Sequence, residues 1–303
     1  MRWYMKKSRE NHILYAKSGI EKILFAVVFV LFLLYALSMI YPFVWLVINS
    51  LKEGAEYSIG MALREPFSMP ENPTFANYAY AFSRMEDKGT GTNFIGMIFN
   101  SVWFTCLSSL TAVFFSSVTG YVFAKYEFKL KRVFYAIIIF SMTIPIIGTM
   151  GVSFKFYNDI QIYDTVFFPI ITNMGGIGMN FLIMYGFFKN LPWSYAEAVY
   201  VDGGDDFVIF FKIMLPMAKT LILTLFIMAS IGVWNDYMTV ILYMPSYPTI
   251  ASGLYKIEES LVRTGNSPIY FAALVLSILP ILIVFICFSD LIMKNFTMGG
   301  LKG

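Results

Sequence analysis

Charge is scarce in this 303-residue chain. Asp, Glu, Lys and Arg make up 14% of it, against 58% hydrophobic residues and a mean hydropathy of +0.68. A soluble domain carries about 25% charged residues, so this chain lacks the polar surface to dissolve itself and reads as an integral membrane protein. The shortage excludes a soluble enzyme and a disordered chain. Cysteine is nearly absent: Cys106 and Cys287 each sit in an apolar run, and the one histidine, His12, lies in the basic N-terminal tail. That supports neither a disulfide framework nor a metal site. A net charge of +3, with the basic residues split between loops, is too small to imply nucleic acid. No G-x-x-x-x-G-K-S/T phosphate loop occurs; Gly89-Thr90-Gly91 has no lysine following it.

What the chain does have is long uncharged stretches. About 20 helical residues cross a bilayer. There are 29 uncharged residues between Lys22 and Lys52, 36 between Lys88 and Lys125, and 22 between Arg132 and Lys155. Another 24 lie between Asp164 and Lys189 and 26 between Arg263 and Asp290, while 16 precede Asp236 after Lys219 and 19 follow it. These gaps predict an all-α membrane protein with six transmembrane helices over about 23–48, 94–123, 133–152, 166–188, 220–243 and 268–289. The runs are too long and too continuously apolar for barrel strands. The first is too long for a signal-peptide core and no small-residue cleavage site follows it, so it reads as a retained helix.

Orientation follows from Lys and Arg. With both termini on one side, that side holds 15 of the 22 basic residues. The expected division is therefore a cytoplasmic tail over 1–22, a six-helix domain over 23–289 and a cytoplasmic tail over 290–303. A long outer loop runs from Asn49 to Asn93, punctuated by Pro66, Pro70 and Pro73.

One cytoplasmic loop breaks the basic rule. Residues 189–219 carry four acids (Glu197, Asp202, Asp205, Asp206) against three bases, with many apolar residues between them. The punctuation predicts a helix after Pro192, a break at Gly203-Gly204, a second helix begun by acids, and a stop at Pro216. Asp205 and Asp206 suit the positive end of that second helix. Two short amphipathic helices on a wet face must cover their apolar sides. They either pack on the bundle or dock a cytoplasmic partner.

Glu197-Ala198-Val199, Gly203, Ile213, Leu215 and Pro216 follow the pattern E-A-A, three residues, G, nine residues, I, one residue, L-P. This resembles the EAA motif of permease subunits of ATP-binding-cassette importers. Asp202 agrees with it, and Val199 in place of the second alanine is the one departure. Leu191-Pro192, Asn100-Ser101, the Tyr121 to Lys125 exit, Pro145, Trp234-Asn235-Asp236 and the ending Met298-Gly299-Gly300-Leu301-Lys302-Gly303 are similar to the carbohydrate-uptake branch, in particular the smaller maltose-type subunit. The resemblance implies the type I importer permease architecture, with a coupling-helix loop between helices four and five. Glu197, Ala198, Val199, Asp202, Gly203, Ile213, Leu215 and Pro216, with Gly299 and Gly300 of the tail, would dock on an ATPase. It implies a second permease subunit in a heterodimer, two ATPase subunits binding ATP and Mg, and an extracellular solute-binding protein. The solute would be a sugar or oligosaccharide crossing a bacterial cell membrane by alternating access. This chain would hold no cofactor and no catalytic residue.

Within the spans, Asp236 is the only charged residue. It lies 16 residues beyond Thr220, hence about 24 Å along a helix at 1.5 Å per residue, near the outer mouth. It either caps neighbouring backbone or contacts a polar ligand, alongside Ser230, Trp234, Asn235 and Tyr237. Asn173, Gly176 and Asn180 belong to a glycine-rich stretch that either unwinds to line a cavity or packs closely against a neighbouring helix. Within the same family the rival is a permease for a non-sugar solute; from another class it is a secondary transporter or channel not driven by ATP. Such carriers usually place several ionisable groups at mid-membrane.

Overall fold

The computed structural model describes residues 19–57, 67–144, 148–263 and 267–298. Pro145, Gly299, Gly300 and most of the N-terminal tail lie outside the described residues. Every regular element among the described residues is helical.

Helix α1 (Gly19–Ser50) and helix α3 (Phe94–Lys125) are each 32 residues long. At 1.5 Å per residue that is about 48 Å, more than a hydrocarbon core of about 30 Å. Between them α2 (Ala76–Arg84) lies in the loop 51–93. The other elements are α4 (Lys131–Thr143), α5 (Met150–Asp159), α6 (Phe168–Asn173), α7 (Met179–Asn190) and α8 (Ser194–Val201). Then come α9 (Asp206–Met217), α10 (Lys219–Trp234), α11 (Met238–Tyr243), α12 (Ile250–Arg263) and α13 (Ser267–Met298).

Helix α3 is the hub, packing on α6, α7, α10 and α12. Its inward residues explain why: Ser101, Thr105, Ser109, Ser116, Ser117 and Gly120 are small and buried. A Cβ at Gly120 would lie 2.9 Å from the Tyr185 backbone nitrogen, so α7 approaches as closely as its backbone permits. Small residues permit this contact where lipid supplies no hydrophobic drive between helices. By contrast α1 is open along its length and buries only Asn49 and Ser50. It leans on α13, with Trp45 edge-on to Phe271 at 5.4 Å.

Three expected spans are interrupted. The stretch 133–152 divides into α4 and α5: Ile144 is extended (ψ 117°) and Gly148 has φ +84°. A residue before proline is driven out of the helical region, which accounts for the stop at Ile144. The stretch 166–188 divides into α6 and α7 around Gly176 (φ +56°) and Gly178 (φ +134°). The stretch 220–243 divides into α10 and α11 at Asn235–Tyr237. By length and composition, α1 and α3 can each span a bilayer, and α9 with α10 makes a third if that bent pair is one span.

Candidate functional site

The acidic loop folds as a helix pair. Helix α8 begins after Pro192, with the Trp193 carbonyl accepting from the N–H groups of Ala196 and Glu197. It ends where Gly203 takes φ +78°, its N–H donating to the Tyr200 carbonyl at 3.0 Å and that of Gly204 to Val199 at 2.9 Å. Such a left-handed residue is the usual glycine-closed helix end. Asp205 then caps α9, its Oδ1 accepting from the Val208 N–H at 2.8 Å. The middle of α9, Ile209–Met214, is wound as a π-helix, and Pro216 does not stop it; the turn comes at Ala218.

The inner face of the pair is buried against α3, α7 and α10. Ala196, Ile209, Phe210, Met214 and Ala218 form one core with Val113, Tyr121, Met184, Phe188 and Leu225. The outer face is not covered: Val201 is 88% exposed and Phe207 73%. Glu197, Ala198, Asp202, Gly203 and Pro216 are also exposed, whereas Val199, Ile213 and Leu215 are half-buried. Packing on the bundle thus accounts for one side of the pair only.

A hydroxyl–carboxylate cluster joins the pair to α3. The Tyr126 hydroxyl donates to Asp206 Oδ1 at 2.8 Å, and the Tyr200 hydroxyl donates to the same oxygen. The Tyr200 hydroxyl first, then that of Tyr126, holds the Asp206 carboxyl below the usual range. Burial, then the contacts with Tyr121 and Asp206, push the Tyr126 hydroxyl up. The protons therefore stay on the tyrosines. Sequence reading missed this cluster, because Tyr126 and Asp206 are 80 residues apart and no spacing rule links them.

Two clefts open beside α3. The first, about 460 Å³, is lined by Ser116, Asn173, Gly176, Gly178 and Asn180 among others. Here the glycines do both things expected of them. The chain unwinds, and it also packs so closely that a Cβ on Gly176 would lie 2.4 Å from the Phe115 carbonyl oxygen. The second cleft, about 230 Å³, is lined by Ser108, Tyr157, Phe168, Asn173, Asp236 and Tyr243, and shares Thr172 and Asn173 with the first. Asn173 is fixed by donating to the Pro169 carbonyl at 2.6 Å. Asp236 accepts from the Thr239 N–H at 3.0 Å and so caps α11, while also facing the cleft. It sits in a break between helices, not along one.

The remaining sequence candidates line neither cleft. Asn235 donates to Ile231 in its own helix at 2.8 Å. Tyr237 stacks on Tyr255, 4.7 Å between centroids. Trp234 packs against the core below α12, and the Ser230 hydroxyl is buried without a hydrogen-bond partner among the described residues.

Residues 112–297, which include the helix pair and both glycine breaks, match the family described as binding-protein-dependent transport system inner membrane component. The chain belongs to this family. Among similar members of this inner membrane component family is the diacetylchitobiose uptake system permease protein of Streptomyces coelicolor, 26% identical over 89% of this chain and 86% of that protein. Another is the arabinooligosaccharides transport system permease protein of Halalkalibacterium halodurans, 30% identical over 77% of this chain and 81% of that protein. The fold is shared with a bacterial ABC transporter involved in the import of the acidic polysaccharide alginate, with a TM-score of 0.69, 23% identity, and coverage of 90% of this chain and 98% of that one.

Proposed function

We propose that the chain is a permease subunit of an ATP-binding-cassette importer that carries a sugar or oligosaccharide across the bacterial cell membrane. The observation that carries this is family membership over a region whose cytoplasmic helix pair leaves Val201 and Phe207 bare. The relatives named for chito- and arabino-oligosaccharide transport support the solute class.

On this reading six spans cross the membrane, three of them broken, with both termini cytoplasmic. Glu197, Ala198, Val199, Asp202, Gly203, Ile213, Leu215 and Pro216 form the seat for a separate ATPase, and Gly299 and Gly300 reach it from the tail. ATP and Mg are bound there, two ATPase subunits closing on each other and pushing the helix pair. A second permease subunit completes the path, and an outer solute-binding protein delivers the solute. ATP shifts the inward–outward equilibrium only by its differential contacts in the two states.

The solute path runs along the two clefts, through Asn173, Gly176, Asn180 and Asp236, with Ser230, Trp234, Asn235 and Tyr237 supporting its mouth. Among the described residues Asp236 is the one charged residue lining either cleft. A lone carboxylate there repels an anionic solute at short range, so the cleft suits a neutral sugar better than a uronate. Proteoliposomes holding the complete complex test the reading. Uptake of a neutral oligosaccharide must require internal ATP; uptake driven instead by an ion gradient would make the chain a secondary carrier.

A further inference from the structure

Helices α9 and α10 are joined through Ala218 and bent by 72° relative to each other. A push along α9 therefore has only a small component along α10, although the chain runs directly from one to the other. The side-chain route is better aligned. Asp206 at the start of α9 holds the Tyr200 hydroxyl of α8 and the Tyr126 hydroxyl at the end of α3 on one carboxylate oxygen. The rings that carry these hydroxyls are themselves packed: Tyr121 on Phe210 at 5.0 Å, Tyr121 on Tyr126 at 5.6 Å, Tyr126 on Trp193 at 6.2 Å, and Trp193 on Tyr200 at 6.4 Å. A second tie runs alongside, the Lys125 ammonium donating to the Leu191 carbonyl just ahead of α8. Both ties end on α3, the helix that packs on α6, α7, α10 and α12 and walls both clefts.

We propose that Asp206 is a positioning residue that clamps the α8–α9 pair to the cytoplasmic end of α3, so that movement of the pair reaches the solute path through α3 and not along the chain into α10. The clamp deepens the importer reading and rests on it. Asp206 touches neither nucleotide nor solute; it acts through Tyr126 and Tyr200.

The test uses the complete importer in proteoliposomes, with Tyr126→Phe, which removes one oxygen atom, and Asp206→Ala. Two quantities are followed: ATP hydrolysed, and uptake of a labelled neutral probe, arabinotriose or diacetylchitobiose. If the clamp couples the two, hydrolysis persists while uptake drops about five-fold or more, at the lower edge of typical coupling factors. Asp206→Asn, whose amide oxygen still accepts both hydroxyls, recovers most of the loss. A misfolded subunit lowers both quantities together, and that result, or no change in either, overturns the clamp. A second measurement needs no solute. Spin labels at the exposed Lys129 and Lys212 should report one distance, unmoved by nucleotide, in an otherwise native complex. In the two clamp variants nucleotide should produce a second distance; a single unchanged distance in both overturns the proposal. Failure of the wild-type complex to take up either probe would count against the sugar assignment and leave the distance measurement to decide the clamp.

Discussion

Gly203 and Gly204 are adjacent but constrained by different physics. Gly203 is left-handed with open space around it, so a side chain there is strained by about 1–2 kcal/mol without a clash. Aspartate tolerates that conformation better than most residues, but at this site it adds a charge to a face already carrying Asp202, Asp205 and Asp206. Gly203→Asp should therefore leave the subunit in the membrane, detectable by blotting, while transport is lost. Gly204 is set by a neighbour: a Cβ there would lie 2.5 Å from Val199 Cγ1. Gly204→Ala should lower thermal stability by about 1–3 kcal/mol, and Val199→Ala in the same chain should restore most of it. Full additivity of the two changes would mean that the contact is not what makes Gly204 necessary. Val199, the departure from the E-A-A pattern, thus has a structural counterpart five residues on in Gly204. Asp236→Asn is informative for the reverse reason. Asparagine is as good a cap as aspartate, so α11 should stay intact and any change in apparent affinity for a neutral sugar reports on charge in the cleft. Unchanged uptake kinetics would leave Asp236 as a cap alone.

At the scale of elements, the loop 51–93 is latched to α12. The Lys256 ammonium meets the buried Asp87 carboxylate, which also accepts from the N–H groups of Gly89 and Thr90. Burial pushes the Asp87 carboxyl up, but Lys256 and those backbone groups together outweigh it and hold the carboxyl below its ordinary range. A depressed carboxylate stabilises the fold fully above its unfolded value of about 3.9. That contribution is lost as pH falls through the folded value. Hydrogen exchange across 85–93 and α12 should thus be flat from neutral pH to about pH 4 and rise below it, once corrected for intrinsic exchange rates. Asp87→Asn should give faster exchange throughout and no acid step. Neither α12 nor this latch was legible in the sequence. Lys256 and Glu258 lie between the expected spans 220–243 and 268–289, and charge-free gaps find only helices that are apolar all round. Of the helix breaks, the glycine-rich stretch around Gly176 offered unwinding as one of two readings, whereas those after Ile144 and at Asn235–Tyr237 were hidden from a count of uncharged residues. A gap in charge says nothing about Gly176, which lies so close to the Phe115 carbonyl of another helix that no side chain fits there. What could be read was the α8–α9 pair, since its start at Pro192, its break at Gly203 and its acidic second start are all local signals.

For the whole molecule, the distribution of charge makes a claim that α1 alone cannot. Helix α1 buries only Asn49 and Ser50, and its long apolar face would be equally content in lipid with either end inward. Orientation must come from the flanks, and short loops rich in Lys and Arg resist translocation. The loop 125–132 holds Lys125, Lys129, Lys131 and Arg132 in eight residues, whereas the far longer stretch 49–93 holds Lys52, Arg64, Arg84 and Lys88. The two loops flank the same helix, α3, so a single comparison fixes its direction. With Cys106 and Cys287 replaced by serine, single cysteines at Lys88 and Lys129 should respond oppositely to a membrane-impermeant maleimide. In intact cells position 88 should label and position 129 should not; after the membrane is opened, both should. Labelling of position 129 in intact cells would turn the molecule over. The helix pair would then lie outside, where no ATPase could reach Val201 and Phe207, and the importer assignment would fall with the orientation.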